Sequence, residues 1–198
     1  METIQINLYT FDELNEDAKI KAIRMQKENN YEFLYLDFLV DIFKEEAENL
    51  GFVNPKFQYS LSNLQGDGLS FSFDYFESEK LYSLIQKVLG KNASWIIDPI
   101  FNCIYSTRGK GNTGRYAYAH EDQIDFRVDL GNYRAWNFYT NINDVLNEIE
   151  AQIITLYLET CKDFEKRAYD EIEYQCSDEF AIETLINGMR FLKDGTIY

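Results

Sequence analysis

Between residues 57 and 75 the spacing of apolar side chains switches from helical to alternating, and that switch restricts the fold more than any other feature. Phe57, Tyr59 and Leu61 alternate with Gln58, Ser60 and Ser62. Leu69, Phe71, Phe73 and Tyr75 alternate with Ser70, Ser72 and Asp74. A period of two places each set on its own face of a strand. Two such runs joined by Asn63-Leu64-Gln65-Gly66-Asp67-Gly68 predict an antiparallel hairpin with one apolar and one hydroxyl-rich face. The two glycines supply the positive φ such a turn needs, and Asp67 suits the same turn. Glycine-flanked aspartates also occur in phosphate and metal loops. A phosphate loop, however, passes from a strand into a helix, and this one passes into another strand. The Gly-Asp-Gly stretch reads as a corner.

Helical patterns flank the hairpin. A short strand at about 4–9 leads into Thr10-Phe11-Asp12-Glu13, which has the form of a capping box. The helix it opens runs to about residue 29, with Leu14, Ala18, Ala22 and Met25 on one face. A second helix is expected at about 31–50, with Leu34, Phe38 and Ile42 on its apolar stripe and Gly51 just past its end. A third is expected at 77–89, strands at about 100–106 and 115–130, a long helix at about 142–174 and a shorter one from Ser177. The tail is expected to be a short hairpin turning at Asp194-Gly195. This order predicts an α+β fold. A mostly antiparallel sheet of hairpins carries helices on one face, one of them long and in the C-terminal half. With two prolines and no Gly/Ser-rich linker, residues 1–198 read as a single compact domain.

The formal charge is −15, spread evenly along the chain. Gripping a nucleic-acid backbone requires a basic face, so direct duplex DNA binding is not expected. The charge fits solubility, or a partner with a positive groove. Cys103, Cys161 and Cys176 are odd in number and far apart, as reduced thiols are. The stretch METIQINLYTF lacks the basic and apolar blocks expected of a signal peptide, and no apolar run approaches the roughly 20 residues that cross a bilayer. The expected location is the cytoplasm, without a membrane partner.

Few residues offer chemistry. Gly109-Lys110-Gly111-Asn112-Thr113-Gly114 matches the spacing of the dinucleotide fingerprint, but that motif opens a helix, and the following segment is strand-like. What remains is a loop with Arg108, Lys110 and Arg115, a basic spot that suits an acidic partner or RNA. His120 is the only histidine, too few for a catalytic zinc site. No metal site, cofactor or catalytic residue is expected. The acidic helices say more. Asp37, Asp41, Glu45 and Glu48 recur at spacings of four, four and three, along one helix face. Asp170, Glu171, Glu173 and Glu179 stand in a run, 163–183, where only Lys166 and Arg167 offset eight carboxylates. Carboxylates one helical turn apart lie about 5–6 Å from each other, similar to successive backbone phosphates. A solvated, solubilising face is the plainer reading of the same stripe.

Four stretches occur in one order along the chain: YTFDELNEDAKIKAI, YSLSNLQGDGLSF, YAYAHEDQIDFRV and CSDEFAIETLINGMRFLKDGTIY. Together they resemble a group of small, little-characterised proteins of bacteriophages and mobile elements, over nearly the full length. The chain departs from that pattern at Asn63-Leu64, where the family has Tyr-Ser. The resemblance implies a phage or prophage setting in a bacterial host cell. Phages of this kind carry small acidic proteins that block host nucleases, CRISPR effectors included.

Three functional readings follow. The first is an anti-defence protein, not an enzyme, that presents carboxylates in place of phosphates to the basic groove of a host nuclease or its ribonucleoprotein complex. The second is an antitoxin-like or host-takeover module with a different protein partner. The third is an enzyme with a site at the hairpin rim, using His120 and Asp67. Homodimerisation is left open.

Overall fold

The computed structural model describes residues 5–32, 36–62, 66–90, 104–106, 109–111, 124–126, 129–130 and 142–198. The fold is α+β. Its helices are α1 (Glu16–Glu32), α2 (Asp37–Leu50), α3 (Ser78–Leu89), the long α4 (Ile142–Gln175) and α5 (Asp178–Ile186). Its strands are β1 (Phe52–Val53), β2 (Lys56–Ser60), β3 (Gly68–Ser72), β4 (Tyr75–Phe76), β5 (Ile104–Ser106), β6 (Gly109–Gly111), β7 (Ile124–Phe126) and β8 (Asp129–Leu130). All four ladders among the described residues are antiparallel and two-stranded: β1 with β4, β2 with β3, β5 with β8, and β6 with β7. The chain divides into two compact units, Met1–Leu36 with Ala168–Tyr198, and Asp37–Arg167.

In the first unit the capping box forms: the Thr10 amide donates to Glu13 Oε2 at 2.7 Å. It closes a single 3-10 turn, Phe11–Glu13, and does not open the helix. A second cap follows at once, with Asn15 Oδ1 accepting from the Ala18 amide at 2.9 Å, so α1 begins at Glu16. Of the strand expected at 4–9, the described residues 5–9 show one bridging residue, Tyr9, which exchanges two backbone hydrogen bonds with Phe191. Phe191 also pairs with Ile197 across the turn at Asp194-Gly195, so the expected C-terminal hairpin is present. Phe11, Leu14, Ala18, Ala22, Leu185 and Phe191 form the core of this unit. Gly195 has φ +83°, and a Cβ there would drive into the carbonyl oxygen of Ala18. Glycine lets the tail lie directly on α1.

In the second unit the hairpin has the expected register. Phe57 faces Phe71, Tyr59 faces Leu69 and Gln58 faces Ser70. Its apolar face packs on α2 and α4: Phe57 lies 6.2 Å from Phe43, and Phe71 lies 4.8 Å from Tyr157, ring to ring. Phe52 adds edge contacts to Phe71, Phe73 and Phe76. The phase of α2 differs from expectation. Leu39, Phe43 and Ala47 are buried, while Phe38 and Ile42 are 46% and 41% exposed. Stacking of Phe43 on Phe164 at 4.3 Å fixes the inward face.

Candidate functional site

At the Gly-Asp-Gly corner Gly66 has φ +93°. The Asp67 carboxylate accepts from the Ser60 hydroxyl and the Ser62 amide, both at 2.7 Å. Asp67 thus ties the turn together. On the hydroxyl-rich face Ser70 is buried, Ser60 and Ser72 are half-buried and Gln58 is exposed. α4 presents Tyr157, Cys161 and Glu165, one turn apart, to the backbone amides of β3. The Phe71 amide donates to the Tyr157 hydroxyl at 3.3 Å, and the Leu69 amide donates to Glu165 Oε2 at 3.1 Å. These side chains occupy strand amides that would otherwise form an open edge. Burial drives the Tyr157 phenol far above its usual range and pushes the Cys161 thiol up to about 12. A thiol so held stays protonated at neutral pH and is a poor nucleophile. This cluster clamps the hairpin.

The α2 acidic set is placed differently. Asp37, Asp41, Glu45 and Glu48 are all exposed. At about 100° per residue they fall within one quadrant of the helix, and Phe38 and Ile42 lie immediately beside them. Lys44 pairs with Asp41 at 2.8 Å. Glu46, outside the stripe, is gripped by Arg167 through both guanidinium nitrogens at 2.6 and 2.9 Å, which holds its carboxyl below the usual range. Arg167 also lies over the rings of Phe43 and Phe164. Sequence reasoning paired neither Glu46 with Arg167 nor Phe38 with the acidic stripe. Leu39-Phe43-Ala47 is a second stripe of equal spacing, so helical spacing alone does not tell which of the two turns inward.

The second acidic set belongs to the first unit and is less uniform. Asp170, Glu173 and Glu179 are exposed, but Glu171 is half-buried and accepts from Gln175 at 2.8 Å. Within the same run Asp178 pairs with Lys27 at 2.6 Å and Asp163 with Arg167 at 3.3 Å. Lys27 comes from α1, so the run is better neutralised than its own stretch of sequence implies. The Tyr174 hydroxyl donates to Glu183 at 3.1 Å. That bond, with the surrounding carboxylates, raises the phenol pKa.

Lys110 lies in β6, paired with Asp125 of β7, so the first half of the expected basic loop is strand. Arg108, Arg115, His120 and Cys103 lie outside the described residues. Among the described residues no group of three or more His, Cys, Asp or Glu is placed to hold a metal ion, and no helix is long and apolar enough to cross a membrane. Comparison with family models, with curated proteins and with solved structures finds no match to this chain.

Proposed function

We propose that this chain is a phage-type anti-defence binding protein that occupies the basic groove of a host nuclease, or of its ribonucleoprotein complex, through the carboxylates of α2. One observation carries the reading. Four exposed carboxylates share a helix face with two exposed large apolar side chains. A face that serves only solubility has no use for open Phe and Ile. A groove tuned for a phosphate backbone offers Lys and Arg for the carboxylates, and protein contacts for the apolar pair. The α4–α5 set, Asp170, Glu171, Glu173 and Glu179, is the weaker candidate because Glu171 is turned to Gln175. A host-takeover partner that is not a nuclease is the second reading. Phe38 and Ile42 suit it equally well, since in either reading they would meet protein surface rather than a phosphate site. The enzyme reading at the hairpin rim would require Asp67 to act while it accepts hydrogen bonds from Ser60 and Ser62.

The test is phage plating on a bacterium whose CRISPR effector is active, with and without the chain. The expected result is restored plating with the wild type, and loss of that protection when Asp37, Asp41, Glu45 and Glu48 are all changed to Lys. Binding to the purified effector complex should weaken steeply as salt rises from about 0.1 M, where the screening length is about 10 Å. Full protection by the quadruple variant, or no protection by the wild type, sinks the proposal.

A further inference from the structure

A second surface of the Asp37–Arg167 unit has the opposite character. Between α3 and α4 runs an open groove of about 500 Å³, within the size range of ligand sites. Leu50, Phe76, Leu84, Ile153 and Leu156 line it, and Glu159 is the one carboxylate among its lining residues. Lys80 and Lys87 stand on its α3 wall. Among the described residues neither lysine has a carboxylate within ion-pair distance. Two unpaired cations beside an apolar trough are unusual on a chain of net charge −15.

We infer that this groove takes the exposed face of α2 from a second copy of the chain. The two surfaces match in chemistry and in spacing. Lys80 and Lys87 are seven residues apart on a helix, about 10.5 Å along its axis, and Asp41 and Glu48 have the same separation. Phe38 and Ile42 stand beside those carboxylates and would enter the apolar trough, in the manner of an amphipathic helix laid in a groove. The Lys44–Asp41 pair is exposed and worth no more than about 1 kcal/mol, so Asp41 is free to exchange partners. Two helical turns bury less than the roughly 1,200–2,000 Å² of a standard interface, so the association is expected to be weak. Face and groove are different patches, so the contact is heterologous and every copy carries both halves. The inference does not rest on the nuclease reading. If both hold, self-association covers the nuclease-binding face and regulates it.

Sedimentation velocity on the purified chain, from about 5 to 300 µM at 0.15 M salt, reads the association directly. The wild type is expected to gain mass with concentration. Lys80→Glu with Lys87→Glu makes the chain more acidic, and Asp41→Lys with Glu48→Lys makes it less acidic. Simple net-charge repulsion predicts opposite effects of the two double variants. The proposed contact predicts that each alone is monomeric, at least tenfold weaker than wild type. It also predicts that an equimolar mixture associates again, because one variant keeps the native face and the other the native groove. All four side chains are on the surface, and unchanged circular dichroism confirms that the variants are folded. A monomeric wild type throughout, association unaffected by either variant, or a mixture that stays monomeric each overturns the inference. None of these outcomes bears on phage plating.

Discussion

Cys161 offers the sharpest test of the clamp on β3. Its side chain is fully buried against the hairpin, and burial pushes its thiol from 9.0 to about 12. The unfolded chain has no such constraint and its thiol ionises near the ordinary value. With the folded pKa raised, the folded state holds its proton where the unfolded state has lost it. Stability from this group is complete below about pH 8 and falls as pH climbs from 9 towards 12. Each unit of separation is worth about 1.4 kcal/mol. Between pH 8 and pH 10 the wild type should therefore lose about 1.4 kcal/mol more than Cys161→Ala, which has no thiol to ionise. Urea denaturation of both proteins at those two pH values measures the difference and cancels the titration of all other groups. The variant starts less stable at pH 8, because a cavity replaces the sulfur, and the gap should narrow towards pH 10. Parallel profiles would mean that the thiol ionises freely in the folded protein, and the buried Tyr157–Cys161 clamp would be wrong.

Two further changes probe the turns. Gly195→Ala should lower stability by about 2–4 kcal/mol, because the new methyl meets a backbone carbonyl at a positive φ. At about 2–4 °C per kcal/mol the melting temperature falls by roughly 4–16 °C, and an unchanged melting temperature in calorimetry would remove the tail from α1. Asp67→Asn keeps one accepting oxygen for Ser60 or Ser62. It should cost no more than about 1.5 kcal/mol and leave phage protection intact; a folded Asp67→Asn protein without protection would revive the corner as a site.

The legible parts of this fold are those where the deciding interaction is close in sequence. The β2–β3 register follows from alternation on both sides of one turn, since a slip of one residue would expose Leu69 and Phe71. The starts of α3 and α5 follow from polar residues at their first turns, and Ser177 does accept from the Phe180 amide. The start of α1 was read five residues early because Thr10 and Asn15 are both competent caps, and only the pairing of Tyr9 with Phe191, far along the chain, separates them. The phase of α2 was illegible for the same reason. Phe38-Ile42 and Leu39-Phe43-Ala47 have equal helical spacing, and the choice between them rests on Phe164, more than a hundred residues away. Arg167 and Glu46 are separated by 121 positions, so no local pattern announces their pair.

That illegible choice of phase is what gives α2 its functional interest. Asp37 sits in the first turn, where a negative charge complements the helix dipole, but Glu45 and Glu48 sit toward the end, where the dipole opposes them. Like charges a turn apart add further repulsion, and Lys44 relieves chiefly Asp41, with a smaller Coulombic benefit to Asp37. Leaving Phe38 and Ile42 46% and 41% exposed forgoes somewhat under half of the roughly 1.5–3 kcal/mol that full burial is worth, about 1 kcal/mol for each side chain. The same helix buries its other face well, with Phe43 and Ala47 fully enclosed, so poor packing does not explain the exposure. Charge and apolar surface are each unfavourable on this face within the folded unit. Both become favourable against one kind of surface, an apolar trough edged with lysine or arginine. The α3–α4 groove of another copy meets that description, the proposed nuclease groove would have to meet it too, and the two assays separate them.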